Sequence, residues 1–224
     1  EMARLQAKKL VEANIYTDGI RIITTVDSKC QQAAVNALRK GLHSYDERHG
    51  YRGPLAQLDV SDAPTLPSPS NADNEAPPQD STDTTEVIEE AELEKTITGL
   101  NPDVANWAER IKDQRRIGPL QPAIVTAVGK KDAEVLFRDG KRSPLAWDDI
   151  RWARPQLNNK YVGKEPTQAS DVLSKGDVIY VRPAGNDEDR HWRLAQLPRA
   201  QSALVSLDPT SGAIVALQGG YSFS

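Results

Sequence analysis

Residues 122–146 read PAIVTAVGKKDAEVLFRDGKRSPLA, and their texture sets the fold class. Residues 122–129 and 132–140 are two short apolar runs, rich in valine and alanine and bounded by glycine, aspartate and lysine, as strands and turns require. A shorter third run spans Arg142 to Ala146. Arg138-Asp139-Gly140-Lys141 is a hairpin tip, because an Asp-Gly pair tolerates the positive φ of a type I′ turn. Further on, GDVIYVRP (176–183) and HWRLAQL (191–197) add two strands of the same kind. Five short strands with no alternating helices predict a small antiparallel barrel or sandwich, and the count fits an OB-type barrel. Residues 155–175 form the long, partly irregular crossing, with Ala169 to Leu173 as one helical turn.

Outward from the barrel, Asn101 or Asp103 caps a helix running to about Arg115, with Val104, Trp107, Ala108 and Ile111 on one face. At the end of the chain, SALVSLDPTSGAIVALQGG (202–220) holds two apolar strands, Ala203–Leu207 and Ala213–Leu217. The Asp208-Pro209-Thr210-Ser211-Gly212 between them is turn chemistry throughout, so this is a second hairpin. Its natural third strand is far upstream, in GIRIITTVD (19–27). The helix after it, capped by Asp27 or Ser28, carries Ala33, Ala34, Ala37, Leu38 and Leu42 as an apolar stripe. Cys30 on that stripe reads as a core thiol. Glu1 to Asn14 has helical spacing, and residues 46–54, DERHGYRGP, form a basic, glycine-rich exit from the capped helix. The class is thus α+β: a barrel inserted into a truncated sheet-plus-helix piece, whose other face calls for a cover from a larger domain.

Charge divides the chain further. Its net charge is −4, yet residues 59–96 hold eleven acidic residues against one basic residue, a net of −10 that leaves +6 for the rest. The stretch from Asp59 to Asp83 is crowded with Pro, Ser, Asn and Asp and buries too little to offset its ordering entropy, so it reads as disordered. Thr85–Lys95 is a candidate acidic helix with too few apolar residues to stand alone. Such a tract is either a tolerated surface-loop insertion, whose closure entropy grows slowly with length, or a mask over a basic face, screened over about 8–10 Å. The expected division is therefore 1–52, linker with strand and helix; 53–96, acidic insertion; 97–200, barrel; and 201–224, hairpin.

The sequence offers little catalytic material. No run approaches the roughly 18 apolar residues of a membrane helix, and the first residues lack a signal peptide's apolar core. One cysteine excludes an internal disulfide framework and a cysteine zinc site. His43, His49 and His191 have no zinc-pair spacing, so no metal or cofactor is expected. Arg48, Tyr51, Arg52, Lys141 and Arg142 belong to a basic and aromatic set of the sort OB-type barrels use for polymers. Its sharper members, Arg151, Trp152, Arg154, Arg190 and Trp192, are the candidate contacts for a partner protein or glycan. Trp147, Trp152 and Trp192 also read as core or cap residues of a small barrel. The acidic balance argues against nucleic acid.

Tyr16-Thr17-Asp18-Gly19, Ile23-Thr24-Thr25-Val26-Asp27, Gln31-Gln32-Ala33-Ala34 and Tyr45 to Pro54 resemble the segment joining glycosyltransferase to transpeptidase in class A penicillin-binding proteins of the 1A type. Trp152-Ala153-Arg154-Pro155, Gly176-Asp177-Val178-Ile179 and Leu204 to Gly220 resemble that family's inserted OB-type domain and the opening strands of its transpeptidase. The acidic tract departs from the pattern. The resemblance implies a parent that polymerises lipid-linked disaccharide and cross-links its peptide stems, in the periplasm of a Gram-negative bacterium, anchored to the inner membrane by a helix outside this sequence. The transpeptidase's Ser-x-x-Lys, Ser-x-Asn and Lys-Thr-Gly elements do not occur here, so the fragment is expected to be catalytically inert. It also implies an outer-membrane lipoprotein activator as a possible partner, with peptidoglycan strands and the parent's own two catalytic domains as the others. Three roles remain open: a regulatory docking module, a glycan-binding module and a passive spacer.

Overall fold

The computed structural model describes residues 2–10, 21–58, 111, 114–158, 160–185 and 190–222. The acidic tract, its candidate helix, the chain from 11 to 20 and nearly all of the helix read at 101–115 lie outside the described residues. The chain divides into two compact units, residues 1–39 with 202–220, and residues 40–201 with 221–224.

The larger unit is built on β1 (Ala56–Gln57), β2 (Gln121–Val128), β3 (Asp132–Phe137), β4 (Arg142–Ala146), β5 (Asp177–Ala184) and β6 (His191–Ala195). All pairings are antiparallel, in the order β1-β5-β2-β3-β4, with β6 also on β5. β1 and β6 share one edge of β5 in succession, at Val178 and from Tyr180 onward. The sheet curls until β4 lies beside β6 without pairing to it. This is the OB-type order the sequence predicts, and all five predicted strands are present. The two-residue β1 is an addition with no sequence signal of its own.

Alternation explains the curl. Ala123 and Val125, Ala133, Val135 and Phe137, Leu145, Ile179 and Val181, and Trp192 and Leu194 point inward and fill the interior. The opposite face of β2, β3 and β5 carries Ile124, Leu136 and Val178, and Ile111 and Leu58 cover it. Two covered faces account for the unbroken apolar runs in these strands, since each buried aliphatic contributes about 1.5–3 kcal/mol. Thr126 sits at a bulge in β2, and its hydroxyl donates to the Glu134 carboxylate at 2.8 Å. Such a bulge bends the strand, as barrel curvature requires.

The β3–β4 turn differs from the predicted type I′. Phe137 N–H donates to Lys141 O, Gly140 N–H donates to Phe137 O, and Gly140 has φ +79°. The loop is therefore three residues long, with glycine in the left-handed position, a geometry equally served by Asp-Gly. α3 (Trp147–Ile150) follows β4 directly, and the crossing after it contains a 3-10 turn at Ala169–Asp171.

α2 (Ser28–Arg48) is longer than read, because its buried face continues through Leu42, His43 and Asp46 and outweighs the cost of Gly41. It stops where Gly50 turns to φ +88°. Asp27 is the cap, its Oδ1 accepting Cys30 N–H at 2.9 Å. Cys30 is exposed, a correction to the core reading: the buried stripe is Ala34, Val35, Leu38 and Arg39, one position on from the stripe expected, and Ala33 and Ala37 face solvent.

The smaller unit holds α1 (Met2–Leu10) and the hairpin of β7 (Ala203–Leu207) and β8 (Ile214–Gly219). The Asp208 carboxylate organises its turn, accepting the Thr210 and Ser211 N–H groups, which hold its pKa below the usual carboxylate range. Residues 21–27 are not the predicted third strand. They touch β8 through Asp27 N–H to Val215 O and Thr25 Oγ1 to Ile214 O, and the Gln31 amide then pairs with both backbone groups of Leu217. A side-chain amide that mimics a strand satisfies the β8 edge, so no ladder forms there.

Candidate docking surface

Two free edges of the sheet, β4 and β6, meet across a seam, and α3 supplies the groups that close it. Asp149 is 5% exposed and accepts from His191 Nε2 at 3.2 Å. Burial pushes the Asp149 carboxyl above the usual carboxylate range, more than His191 and Arg193 pull it down. Arg193 Nη1 donates to Asp148 O at 3.1 Å, and Trp152 Nε1 donates to Leu194 O at 3.1 Å. Arg182 and Arg193 stand directly opposite one another on β5 and β6, a repulsive placement for like charges. Glu47, from the last turn of α2, resolves it by accepting from Arg182 Nη2 at 3.1 Å and Arg193 Nη2 at 3.2 Å.

This arrangement distributes the sequence-predicted contact residues unevenly. Trp192 is 5% exposed and stacks obliquely on Phe137 with ring centroids 4.8 Å apart, so its ring belongs to the interior. Trp152 is half-buried and meets Tyr51 edge to face. Arg151 is exposed and pairs with Asp148 at 3.1 Å, an ion pair of little energetic weight at such exposure. Arg190, half-buried, precedes β6. Arg154 is exposed, and its Nε donates to Gly163 O at 2.9 Å. Trp192 is thus interior, while Arg151, Trp152 and Arg154 lie just before a loop at the start of the 155–175 crossing.

That loop, residues 155–163, is held at its base by the chain leaving α2. Tyr51 N–H donates to Arg154 O at 2.7 Å and Gln156 N–H donates to Tyr51 O at 2.8 Å. Gly50 lies so close that a Cβ there would stand 2.8 Å from Arg154 O and 2.9 Å from Val162 Cγ1. Gln156 bridges Val162, and Gly163 N–H donates to Pro155 O at 2.7 Å. At the tip, Asn158 Oδ1 accepts both Lys160 and Tyr161 N–H. Leu157 and Tyr161, whose backbones are hydrogen-bonded to each other, are 67% and 66% exposed. The sequence signals that could have located the loop are the two glycines and the Asn turn.

A shallow groove of about 270 Å³ lies on the outer face of β2, β3 and β4, lined by Asp132, Glu134, Arg142 and Ser143 among others. Among the described residues, no group of three or more His, Cys, Asp and Glu is placed to hold a metal ion. No described helix is long and apolar enough to cross a membrane. What the described arrangement offers chemically is charge and apolar contact on a rigid frame.

Residues 51–200 match the family model described as the penicillin-binding protein OB-like domain. The full chain is 39% identical to penicillin-binding protein 1A of Pseudomonas aeruginosa and 34% identical to that of Escherichia coli, covering 22% of each. A crystal structure of penicillin-binding protein 1A from Haemophilus influenzae superposes with a TM-score of 0.61 at 26% identity, over 99% of this chain and 25% of that one. The chain thus spans about a fifth of the length of the curated relatives it matches.

Proposed function

The chain belongs to the penicillin-binding protein OB-like domain family, in the class A, 1A type, and from that premise we propose that it is the non-catalytic docking region of a bifunctional peptidoglycan synthase. The parent polymerises glycan and cross-links its peptide stems on the periplasmic side of the inner membrane, and the barrel region receives an activator, an outer-membrane lipoprotein. One observation carries this reading: the barrel interior is filled by side chains, Trp192, Phe137, Leu194 and Leu145 among them, so the barrel works through its outside. The missing Ser-x-x-Lys, Ser-x-Asn and Lys-Thr-Gly elements support a role without bond making. The test is cross-linking mass spectrometry on the full-length synthase with its purified lipoprotein activator. Cross-links into residues 114–200 are expected; a bound activator whose cross-links all fall elsewhere rejects the reading.

A second reading has its own observation. The groove on β2, β3 and β4 lies where OB-type barrels take sugars, and its mixed charges, Asp132, Glu134 and Arg142, suit a glycan whose attached peptide stems bear both amines and carboxylates. Cosedimentation of the full-length protein with purified glycan strands, weakened by Glu134→Gln, is its expected mark.

A further inference from the structure

We propose that the described parts of the loop, residues 155–158 and 160–163, are the anchor of the docking surface and that its partner is a folded protein presenting an apolar pocket rimmed by carboxylates. The inference rests on the docking reading above and specifies where and what. Three features of the loop point to it.

The first is apolar exposure on a fixed frame. Leu157 and Tyr161 are two-thirds exposed at the tip, while the base is held by backbone hydrogen bonds to Tyr51 and by the close approach of Gly50. Tyrosine is enriched among interface hot spots, and a backbone already held at its base loses less entropy on binding than a free one. The second is charge. Residues 150–165 carry Arg151, Arg154, Lys160 and Lys164 against one carboxylate, the exposed Glu165, so the stretch is net positive. Asp148 offsets Arg151, Asp149 is turned to His191 and Arg193, and Lys160 and Lys164 are exposed. A pocket receiving Leu157 and Tyr161 from such a loop gains from acidic residues at its rim, which also steer the encounter. The third separates a protein partner from an anionic polymer. A polymer would engage the cations and leave the exposed face of Leu157 in water, whereas a protein pocket uses both.

The experiment places a photo-reactive phenylalanine analogue at position 157, 161 or, as control, 130 on the β2–β3 turn, in the full-length protein in growing cells. A protein adduct at 157 or 161 and not at 130 is expected. The captured partner, once purified, is expected to bind the full-length protein with an affinity that falls at least about tenfold in Leu157→Ser/Tyr161→Ser, because interface anchors carry losses of that size. The affinity should also fall with added salt, and less steeply in Lys160→Glu/Lys164→Glu. Both pairs of positions are exposed, so melting temperatures should match the unsubstituted protein and separate lost binding from lost folding.

Equal binding by the Leu157→Ser/Tyr161→Ser protein overturns the loop assignment, as does an adduct at 130 alone; either leaves the docking reading standing. Adducts to glycan only overturn the partner class, and salt-independent binding overturns the charge complementarity. Failure of the activator to bind the full-length protein at all sinks the docking reading itself.

Discussion

Gly50→Ala is the substitution that most directly tests how the loop after Arg154 is held. Gly50 has φ +88°, a region costing a side-chain-bearing residue about 1–3 kcal/mol. Its added Cβ would also stand 2.8 Å from Arg154 O, 2.9 Å from Val162 Cγ1 and 3.2 Å from Gln156 Cα. Two of these are backbone atoms, unable to swing aside, and overpacking of that kind costs about 1–3 kcal/mol more. Gly53 supplies the control, with φ +94° and nothing within 4 Å of its would-be Cβ. Gly53→Ala therefore bears the backbone cost alone. Urea denaturation of both variants should show Gly50→Ala less stable than Gly53→Ala by about 1–3 kcal/mol. In a unit of this size that is a melting-temperature gap of about 2–12 °C, at about 2–4 °C per kcal/mol. Hydrogen exchange should locate the extra loosening at Gln156 and Gly163, whose N–H groups close the base of the loop. Equal stability of the two variants would refute the close approach, and with it the rigid loop.

Removing Glu47 leaves Arg182 and Arg193 facing each other, so Glu47→Ala should cost about 2–3 kcal/mol in chemical denaturation, below the full cost of a buried pair because the three side chains are 21–23% exposed. A loss under about 0.5 kcal/mol would reject that account. Asp149 has a raised carboxyl pKa, so its protonated form suits the fold and that contribution is lost as pH rises through the folded pKa. Asp149→Asn should accordingly be more stable than the unsubstituted protein near pH 7, with the gap closing below about pH 4, where the unfolded carboxyl also protonates; urea titrations at both pH values decide it, and a less stable variant near pH 7 contradicts it. Trp192→Ala should lose about 3–5 kcal/mol, as an interior residue does and a surface contact does not.

The barrel was legible in the sequence because its strands carry their own signal. Apolar runs on β2, β3 and β5 end at Gly129, Gly140 and Gly176, and strand and turn chemistry are both local. The end of α2 was not legible, because the apolar stripe stops at Leu42 and the run from Asp46 reads as an exit, while His43 and Asp46 are in fact buried. His43 bonds the Tyr221 hydroxyl at 2.7 Å, and Asp46 takes the Arg52 guanidinium in two bonds of 2.8 and 3.0 Å. Partners 178 and 6 positions away decide that burial, and helical periodicity contains neither. Trp192 carried two readings, a contact on a basic, aromatic strand and a core or cap residue of the barrel, and alternation decides for the second by turning its ring inward and the arginine at 193 outward to Glu47. The loop at 155–163 was hidden because its order comes from Gly50 and Tyr51, about a hundred residues upstream. Leu157 and Tyr161 alone in a polar crossing carry no period.

The same geometry argues for loop-mediated recognition over strand addition at the barrel seam. β4 is an end strand, and Phe137 N–H to Lys141 O makes 137 and 141 a hydrogen-bonded pair, so pairs alternate and Glu134 with Pro144 is a non-bonded one. The nitrogen of Pro144 therefore faces the free edge of β4, in the middle of the strand, and offers an incoming strand no donor there. On the β6 side, the Leu194 carbonyl is already taken by the Trp152 indole, and His191 and Arg193 are drawn to Asp149. Both edges are thus blunted, one by a missing donor and one by side chains. With the interior filled and the β4 and β6 edges blunted, the proposed docking is left to features that stand off the barrel, and residues 157 and 161 offer exposed apolar side chains above a base held by backbone hydrogen bonds.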